Sequence, residues 1–275
     1  MKAAAFEYER PRSCAEAARL LHQSAGRGKV ISGGQSLGAM MNLRLAQPEL
    51  LVDVRGIDAL QRCDIEADGI WLGANTTHAA IEDGRVSDPT GGLMRQVASG
   101  IAYRAVRNRG TLGGSLAHAD PAADWVNLMA LLGAQYRLEG MGTARTVSST
   151  DWMPGAFTTA LREDEILTAV RIPRLSAQAR WGYYKVSRKA GEFAQALAAI
   201  IDDPARRLRR ALIGAIDGAP HVFEAAALID DWHEAAADVE LQAAGLKAGT
   251  YEYQIHATAL ARAVATAAAM RSSAA

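Results

Sequence analysis

Only two cysteines occur in the 275 residues, Cys14 and Cys63, far apart and in no CxxC or Cys/His pattern. That excludes a disulfide framework and an encoded zinc or iron–sulfur site. Proline is sparse, with 8 residues, and charged residues make up 22% against 49% hydrophobic, so an intrinsically disordered chain is not expected. A net charge is lacking too: Lys plus Arg number 30 and Asp plus Glu 30, leaving no overall field to draw in nucleic acid or an anionic membrane. No stretch approaches the roughly 20 apolar residues of a membrane span. The opening Met1-Lys2-Ala3-Ala4-Ala5-Phe6-Glu7-Tyr8 reaches acidic and aromatic residues too early for a signal peptide. A soluble protein of the reducing cytoplasm is expected, with one large or two to three small folding units. The dense basic run Arg206, Arg207, Arg209, Arg210 alternates with apolar residues and reads as a strand with one solvated face.

What is present is a series of α/β signals. Ser13 with Glu16 makes a capping box, and Ala17, Leu20 and Leu21 share the face of a helix that Gly26 and Gly28 stop. Val30-Ile31 is a short strand running into Ser32-Gly33-Gly34-Gln35-Ser36, after which Leu37 to Leu45 has helical spacing until Pro48. Leu50 to Val54 reads as a buried strand and closes a first α/β unit over 1–57. Asp68-Gly69 marks a tight hairpin, and Thr76 or Thr77 caps the helix that follows. Asp88-Pro89 opens a further helix to about Ser99, a Gly-rich loop runs from Arg107 to Ser115, and Asp120-Pro121 starts the next helix. Strands at about Ala134 to Glu139 and Ile166 to Ile172 complete a second unit over 58–175. From Trp181 the extended runs Trp181 to Val186, Phe193 to Ile201 and Leu208 to Ile216 predict an antiparallel sheet. Helices over Phe223 to Trp232 and Tyr251 to Met270 follow, giving a third, α+β unit over 176–275 with a frayed tail after Met270.

Two glycine-rich turns carry the chemistry, Ser32-Gly33-Gly34-Gln35-Ser36 and Thr111-Leu112-Gly113-Gly114-Ser115. Paired glycines let the backbone approach a ligand and aim consecutive N–H groups at one anion, and a following serine adds a hydroxyl. Two such turns suit the two phosphates of a dinucleotide, more so at helix N-termini. Neither is GxGxxG or GxxxxGK[ST], which disfavours nucleotide hydrolysis. The six histidines show no HExxH or paired ligand spacing, so no metal is expected, although His78 and His118 lie close to these segments. Asp202-Asp203 and Asp230-Asp231 read as turn and helix-end punctuation rather than acid–base machinery, and the five tryptophans as core or interface residues.

The segments Gly33-Gly34-Gln35-Ser36-Leu37, Met41-Asn42-Leu43-Arg44-Leu45-Ala46-Gln47-Pro48 and Leu51-Val52-Asp53-Val54 resemble the first flavin segment of the medium subunits of molybdenum hydroxylases, the carbon monoxide dehydrogenase and xanthine dehydrogenase family. Gly73-Ala74-Asn75-Thr76-Thr77 and the run from Val106 to Asp124 are similar to the second flavin segment, and the likeness continues through Glu165-Ile166-Leu167, Ile172-Pro173 and Tyr184 to Lys189. The resemblance implies an α+β protein: a two-subdomain PCMH-type FAD-binding fold of α/β units, then a small C-terminal domain of antiparallel sheet plus helices. It implies non-covalent FAD that takes electrons from a [2Fe-2S] small subunit and passes them to an external acceptor. A large molybdopterin subunit oxidises the substrate, and a dimer of heterotrimers is the implied assembly.

Carried over by position, Ser32, Gly33, Gly34, Gln35 and Ser36 with Thr111, Gly113, Gly114 and Ser115 hold the pyrophosphate, and Asp124 binds the ribose or adenosine side. Ile101 packs near the isoalloxazine, Leu167 near the adenine or ring, and Lys185 contacts the flavin, where an ammonium at the pyrimidine end favours the reduced anion. Leu37, Thr77, Ala102, Val106 and Ala119 complete the implied cofactor set. Gln35 stands where several relatives have His, and Lys189-Ala190-Gly191-Glu192 where Arg-x-Gly-Asp is common, departures that bear on flavin tuning rather than binding. Two other readings remain open at this point, a self-contained flavin oxidase and a flavin-free scaffold. The chain after Pro173 lacks a His or Tyr constellation for the first, and retention of both turns, Asp124 and Lys185 speaks against the second.

Overall fold

The computed structural model describes residues 2–270; the tail expected to fray after Met270 lies outside the described residues. The chain opens with β1 (Glu7–Glu9), α1 (Cys14–Gln23), β2 (Gly28–Ile31), α2 (Leu37–Asn42) and β3 (Leu50–Asp53), forming a parallel sheet of order β1-β3-β2. Ser13 Oγ accepts the Glu16 N–H (3.1 Å), while the Glu16 carboxylate accepts from Arg12 N (2.8 Å), one residue before the position of a standard capping box. Cys14, Ala17, Ala18 and Leu21 bury one face of α1 against Val52, Val54, Ile57 and Leu60. α2 ends three residues before the expected Leu45, because Arg44 takes a left-handed φ of +58° and the Leu45 N–H turns back to Met40 O (2.9 Å).

The next stretch holds β4 (Cys63–Ile65), β5 (Gly69–Gly73), α3 (His78–Glu82), α4 (Leu93–Ser99), α5 (Arg104–Arg107), α6 (Leu112–His118), α7 (Asp124–Leu132), β6 (Gln135–Gly140), β7 (Thr143–Ser148) and β8 (Ile166–Pro173). Its sheet is antiparallel with order β4-β5-β8-β6-β7. The Asp68-Gly69 hairpin forms as expected between β4 and β5.

Several expectations are corrected here. The helix assigned to Asp88-Pro89 begins only at Leu93. Asp88 Oδ1 accepts Thr90 N (2.8 Å), and Gly91 and Gly92 turn the chain at φ +63° and +98° first. Likewise Asp120 caps only a turn, accepting Ala122 N (2.9 Å), and the helix starts at Asp124. The loop assigned to Arg107–Ser115 is largely helical, with Gly113 and Gly114 in the first turn of α6. β7 was not anticipated; four of its six residues are polar, so its apolar signal is weak.

The remainder comprises β9 (Arg180–Val186), β10 (Ala196–Asp203), β11 (Leu208–Gly214), β12 (His221–Glu224), α8 (Ala226–Asp230), α9 (Glu234–Ala243) and α10 (Tyr251–Ala269). Its antiparallel sheet has order β12-β11-β10-β9. Phe223, assigned to a helix, lies in β12. Alternation along β10 sends Leu197, Ala199 and Ile201 into the core that contains α7, and Ala198 and Ile200 into a second core with α10. α10 lies so close on β9 that a Cβ at Gly182 would overlap the Ala263 carbonyl.

Asp202 and Asp203 are not turn punctuation. Both are buried at the end of β10, where Asp203 accepts Ser176 N (2.7 Å) and Oγ (2.6 Å) and Asp202 pairs with Arg180 and Arg209. The basic run is not one strand: Arg206 ends a short 3-10 turn and Arg207 takes a left-handed φ of +53°, while Arg209 and Arg210 lie in β11 and pair with Asp230 (2.5 Å) and Glu224 (3.4 Å). The whole is an α+β architecture, and among the described residues no helix is long and apolar enough to cross a membrane.

Candidate functional site

β2 delivers the chain into Ser32–Ser36 before α2. Gly34 has φ +70°, a region that glycine occupies without strain. Gly33 answers a different demand: a Cβ there would overlap the Arg109 carbonyl and lie 2.8 Å from Gly110 Cα, so the two glycine-rich segments meet backbone to backbone. Ser32 Oγ donates to Asn75 Oδ1 (2.6 Å) and accepts from Thr111 Oγ1 (3.3 Å), while Asn75 Nδ2 donates to Val54 O (2.8 Å). Gln35 Nε2 folds back onto Gly33 O (2.9 Å). Among the described residues the N–H groups of Gly33, Gly34, Gln35 and Ser36 make no hydrogen bond, which leaves consecutive donors for an anion.

The second turn differs from expectation in its backbone. Leu112 N donates to Thr76 O (2.9 Å), Gly113 N to Ala74 O (2.9 Å), Gly114 N to Thr111 Oγ1 (3.1 Å) and Ser115 N to Thr111 O (3.0 Å). These N–H groups do not converge on open space, because the segment is a helix start packed on the end of β5. Gly113 is required by that packing, since a Cβ would sit 2.5 Å from Ala74 Cβ. Exposed Gly114 and the half-buried Ser115 remain for a ligand. Thr77 bridges Thr111 and caps α3 by accepting Ala80 N (3.1 Å).

Asp124 and Lys185, expected as separate cofactor contacts, are each other's partner. Lys185 Nζ lies 3.0 Å from Asp124 Oδ1 and donates to Gly100 O (3.0 Å), and the Tyr183 hydroxyl donates to the same carboxylate. Burial raises the Asp124 carboxyl above its usual range, opposed by Lys185 and Tyr183. Burial and then the Asp124 charge push the Tyr183 phenol well up. Tyr183 was missed, although it shares a face of β9 with Lys185 two residues on, which period-two alternation signals. Asn75 was also missed as a site residue; its signal is a polar side chain two residues past the end of a buried strand.

The residue after Asp124 ties this cluster to the glycine turns. Trp125 Nε1 donates to His78 Nδ1 (2.9 Å), and His78 N donates to Gly110 O (3.0 Å). Accepting at Nδ1 leaves the ring proton on Nε2. Burial, with Arg107 adding to it, lowers His78 to about 4. His118 instead tilts against Phe157, ring centroids 5.4 Å apart.

Ile101 and Ala102 are half-buried beside Gly100, Ala102 at φ +44°. Val106 is half-buried in α5 and Leu37 opens α2. Leu167 and Ala119 are buried in the main core, and Ala119 O accepts Phe157 N (2.8 Å). The structure thus joins Ser32, Gly33, Thr77 and Thr111 in one group and Lys185, Asp124 and the 100–102 turn in another. Leu167 and Ala119 have their contacts in the core instead. No metal-ligating cluster occurs among the described residues.

Residues 4–175 match the family described as the FAD binding domain in molybdopterin dehydrogenase. The carbon monoxide dehydrogenase medium chain of Hydrogenophaga pseudoflava is 36% identical over 196 residues, 71% of this chain and 68% of that one. The nicotine 6-hydroxylase medium subunit of Paenarthrobacter nicotinovorans is 33% identical over 269 residues, 94% of this chain and 92% of that one. Among solved structures, carbon monoxide dehydrogenase from Hydrogenophaga pseudoflava, in a form lacking the Mo-pyranopterin moiety, is similar with TM-score 0.88 at 30% identity, covering 98% of this chain and 99% of that chain. Quinoline 2-oxidoreductase from Pseudomonas putida 86 gives 0.85 at 31% identity with the same coverage.

Proposed function

The chain belongs to the FAD-binding domain family of the molybdopterin dehydrogenases, and on that premise we propose that it relays electrons from an iron–sulfur subunit through non-covalent FAD to an external acceptor. It is an oxidoreductase subunit that contributes no substrate-oxidising group of its own. In this reading it sits in the cytoplasm in a dimer of heterotrimers, with a [2Fe-2S] small subunit and a large molybdopterin subunit that selects the substrate. Support for partners comes from relatives named as medium chains and subunits, whose named substrates range from carbon monoxide to caffeine and nicotine.

The observation that carries the reading is the run of N–H donors from Gly33 to Ser36 that make no hydrogen bond among the described residues, in a turn locked against Gly110. Those donors and the helix start beside them fit a pyrophosphate, and glycine at 33 and 34 leaves its approach open. When bound, FAD supplies one-electron exchange on one side and two-electron transfer on the other. The chain's own residues bind and orient. Ser32 to Leu37 grip the phosphates, joined by Gly114 and Ser115, while Thr77, Thr111 and Gly113 hold the second turn in place. Asp124, whose two oxygens are taken by Tyr183 and Lys185, acts through that lysine rather than on the ribose or adenosine side, Leu167 and Ala119 belong to the core beneath, and Ile101, Ala102 and Val106 wall the ring. Lys185, held by Asp124 and Gly100 O, places its ammonium at the ring's electron-poor end with its charge offset by Asp124.

The test is the absorbance spectrum of the chain purified with its co-expressed partners, followed by heat release and identification of the flavin. Stoichiometric FAD that bleaches when a substrate of the molybdenum subunit is added is the expected result. A colourless chain that takes up no FAD overturns the reading in favour of a scaffold, and covalently held flavin overturns it in favour of an oxidase.

A further inference from the structure

Three successive carbonyls in the 100–102 turn receive cationic donors. Lys185 Nζ donates to Gly100 O (3.0 Å), and Arg107 Nη1 donates to both Ile101 O (2.9 Å) and Ala102 O (2.8 Å). The N–H groups are used as well: Gly100 N to Val97 O (3.0 Å), Ile101 N to Ala98 O (3.2 Å) and Ala102 N to Gly191 O (2.9 Å). With all its polar backbone groups bonded inside the protein, the turn presents only the apolar side chains of Ile101 and Ala102. Such a turn does not hold itself, because Ala102 sits at φ +44°, a conformation an alanine adopts only when its surroundings impose it.

What imposes it is a chain of ion pairs. Arg107 is 12% exposed and engages Glu82 through two parallel bonds, Nε to Oε2 (2.8 Å) and Nη2 to Oε1 (3.0 Å), leaving Nη1 for the turn. Arg104 Nη1 adds a bond to the same Glu82 carboxylate (2.9 Å). The other end of the turn is held by Lys185, whose ammonium is anchored by Asp124. A guanidinium with four of its five N–H donors assigned has one orientation, whereas an ammonium at position 107 cannot span Glu82 and two carbonyls together.

We propose that Glu82 and Arg107 are positioning residues for the flavin ring: they hold the Ile101–Ala102 turn as a rigid apolar wall for the isoalloxazine, without touching the cofactor. This rests on the flavin reading given above. Loosening the clamp then weakens binding of the ring half of FAD and leaves the adenine-diphosphate half unaffected.

The experiment measures affinity of the full-length chain for FAD and for ADP, which lacks the ring, in wild type, Arg107→Lys and Glu82→Gln, below the thermal transition of each. The expected result is FAD affinity reduced about 10- to 100-fold in both variants, the scale of a lost hydrogen bond to a charged group, with ADP affinity within about twofold of wild type. The flavin midpoint potential moves in the same variants, which a general loss of stability does not produce. FAD and ADP affinities falling together, or neither falling, overturns the clamp. Failure of the wild-type chain to bind FAD sinks the underlying reading and the clamp with it. Arg107→Lys failing to fold leaves Glu82→Gln, which retains the side-chain shape and one acceptor, to decide the matter.

Discussion

His78 is neutral at physiological pH because the fold buries it and Trp125 donates to its Nδ1. Its folded value, about 4, lies below the ordinary 6.5. The unfolded chain therefore takes up a proton first, and the stability contributed by neutral His78 is fully present above about pH 6.5 and lost as the pH falls toward 4. Integrating over that interval, folding weakens by about 2 kcal/mol between pH 7 and pH 5 and by about 3 kcal/mol by pH 4. Urea denaturation at pH 7, 6 and 5 on wild type and His78→Asn isolates the effect. The asparagine amide oxygen takes the place of Nδ1 as acceptor for the Trp125 indole but does not titrate. Wild type should lose about 2 kcal/mol more than the variant between pH 7 and 5, a window in which unperturbed carboxylates change little. Equal pH slopes in the two proteins would refute the assignment of a buried neutral imidazole.

Gly33→Ala places a Cβ on the Arg109 carbonyl, and the overlap should destabilise the chain by about 1–3 kcal/mol and cut bound flavin below about a tenth of wild type, read as the 450 nm absorbance per protein after gel filtration. Asp124→Asn leaves the Lys185 ammonium, 10% exposed, without its counter-charge, at a cost of about 3–5 kcal/mol in chemical denaturation; Asp124→Asn with Lys185→Met should recover much of it, and strict additivity of the two would contradict the pairing. Asp203→Asn removes the charged acceptor of Ser176 N and Oγ, where the chain passes from β8 toward β9, and should lower stability by about 1–3 kcal/mol, matched by Ser176→Ala only in part because the backbone bond survives.

Local signals in the sequence were legible wherever the chain satisfies itself nearby. The Ser13 cap, the Asp68-Gly69 hairpin and the Thr77 cap depend on residues within a few positions, and all are present. The Asp-Pro signals at 88 and 120 were over-read because an aspartate satisfying the second N–H after it can close a turn as well as open a helix. Asp202 and Asp203 were misread because their partners, Ser176, Arg180 and Arg209, lie elsewhere in the chain and nothing local marks them as buried. The glycine turns show the same division. Their motifs identified the family, yet the second turn's donors are taken partly by Thr111 within the turn and partly by Ala74 and Thr76, which lie beyond β5 and outside the motif. The Glu82–Arg107 clamp, spanning 25 positions, left no trace in spacing or composition.

α7 explains how these separate contacts act together. Asp124 at its start anchors Lys185, Trp125 braces His78 beneath the Gly110 backbone, and Asn127 reaches the third sheet, where a Cβ at Gly214 would overlap its Oδ1. Asn127 Nδ2 is bonded to Pro121 O (2.8 Å) and Ala123 O (2.9 Å), so the side chain has no freedom to retreat. Every residue of the helix is buried, and a close-packed interior transmits displacement rather than absorbing it. The sheet β12-β11-β10-β9 therefore takes part in building the site. Through β11 and α7 it fixes the helix start that carries Asp124, and with β9 it supplies the lysine that Asp124 holds, so both members of the buried ion pair are positioned by the packing of this sheet on α7.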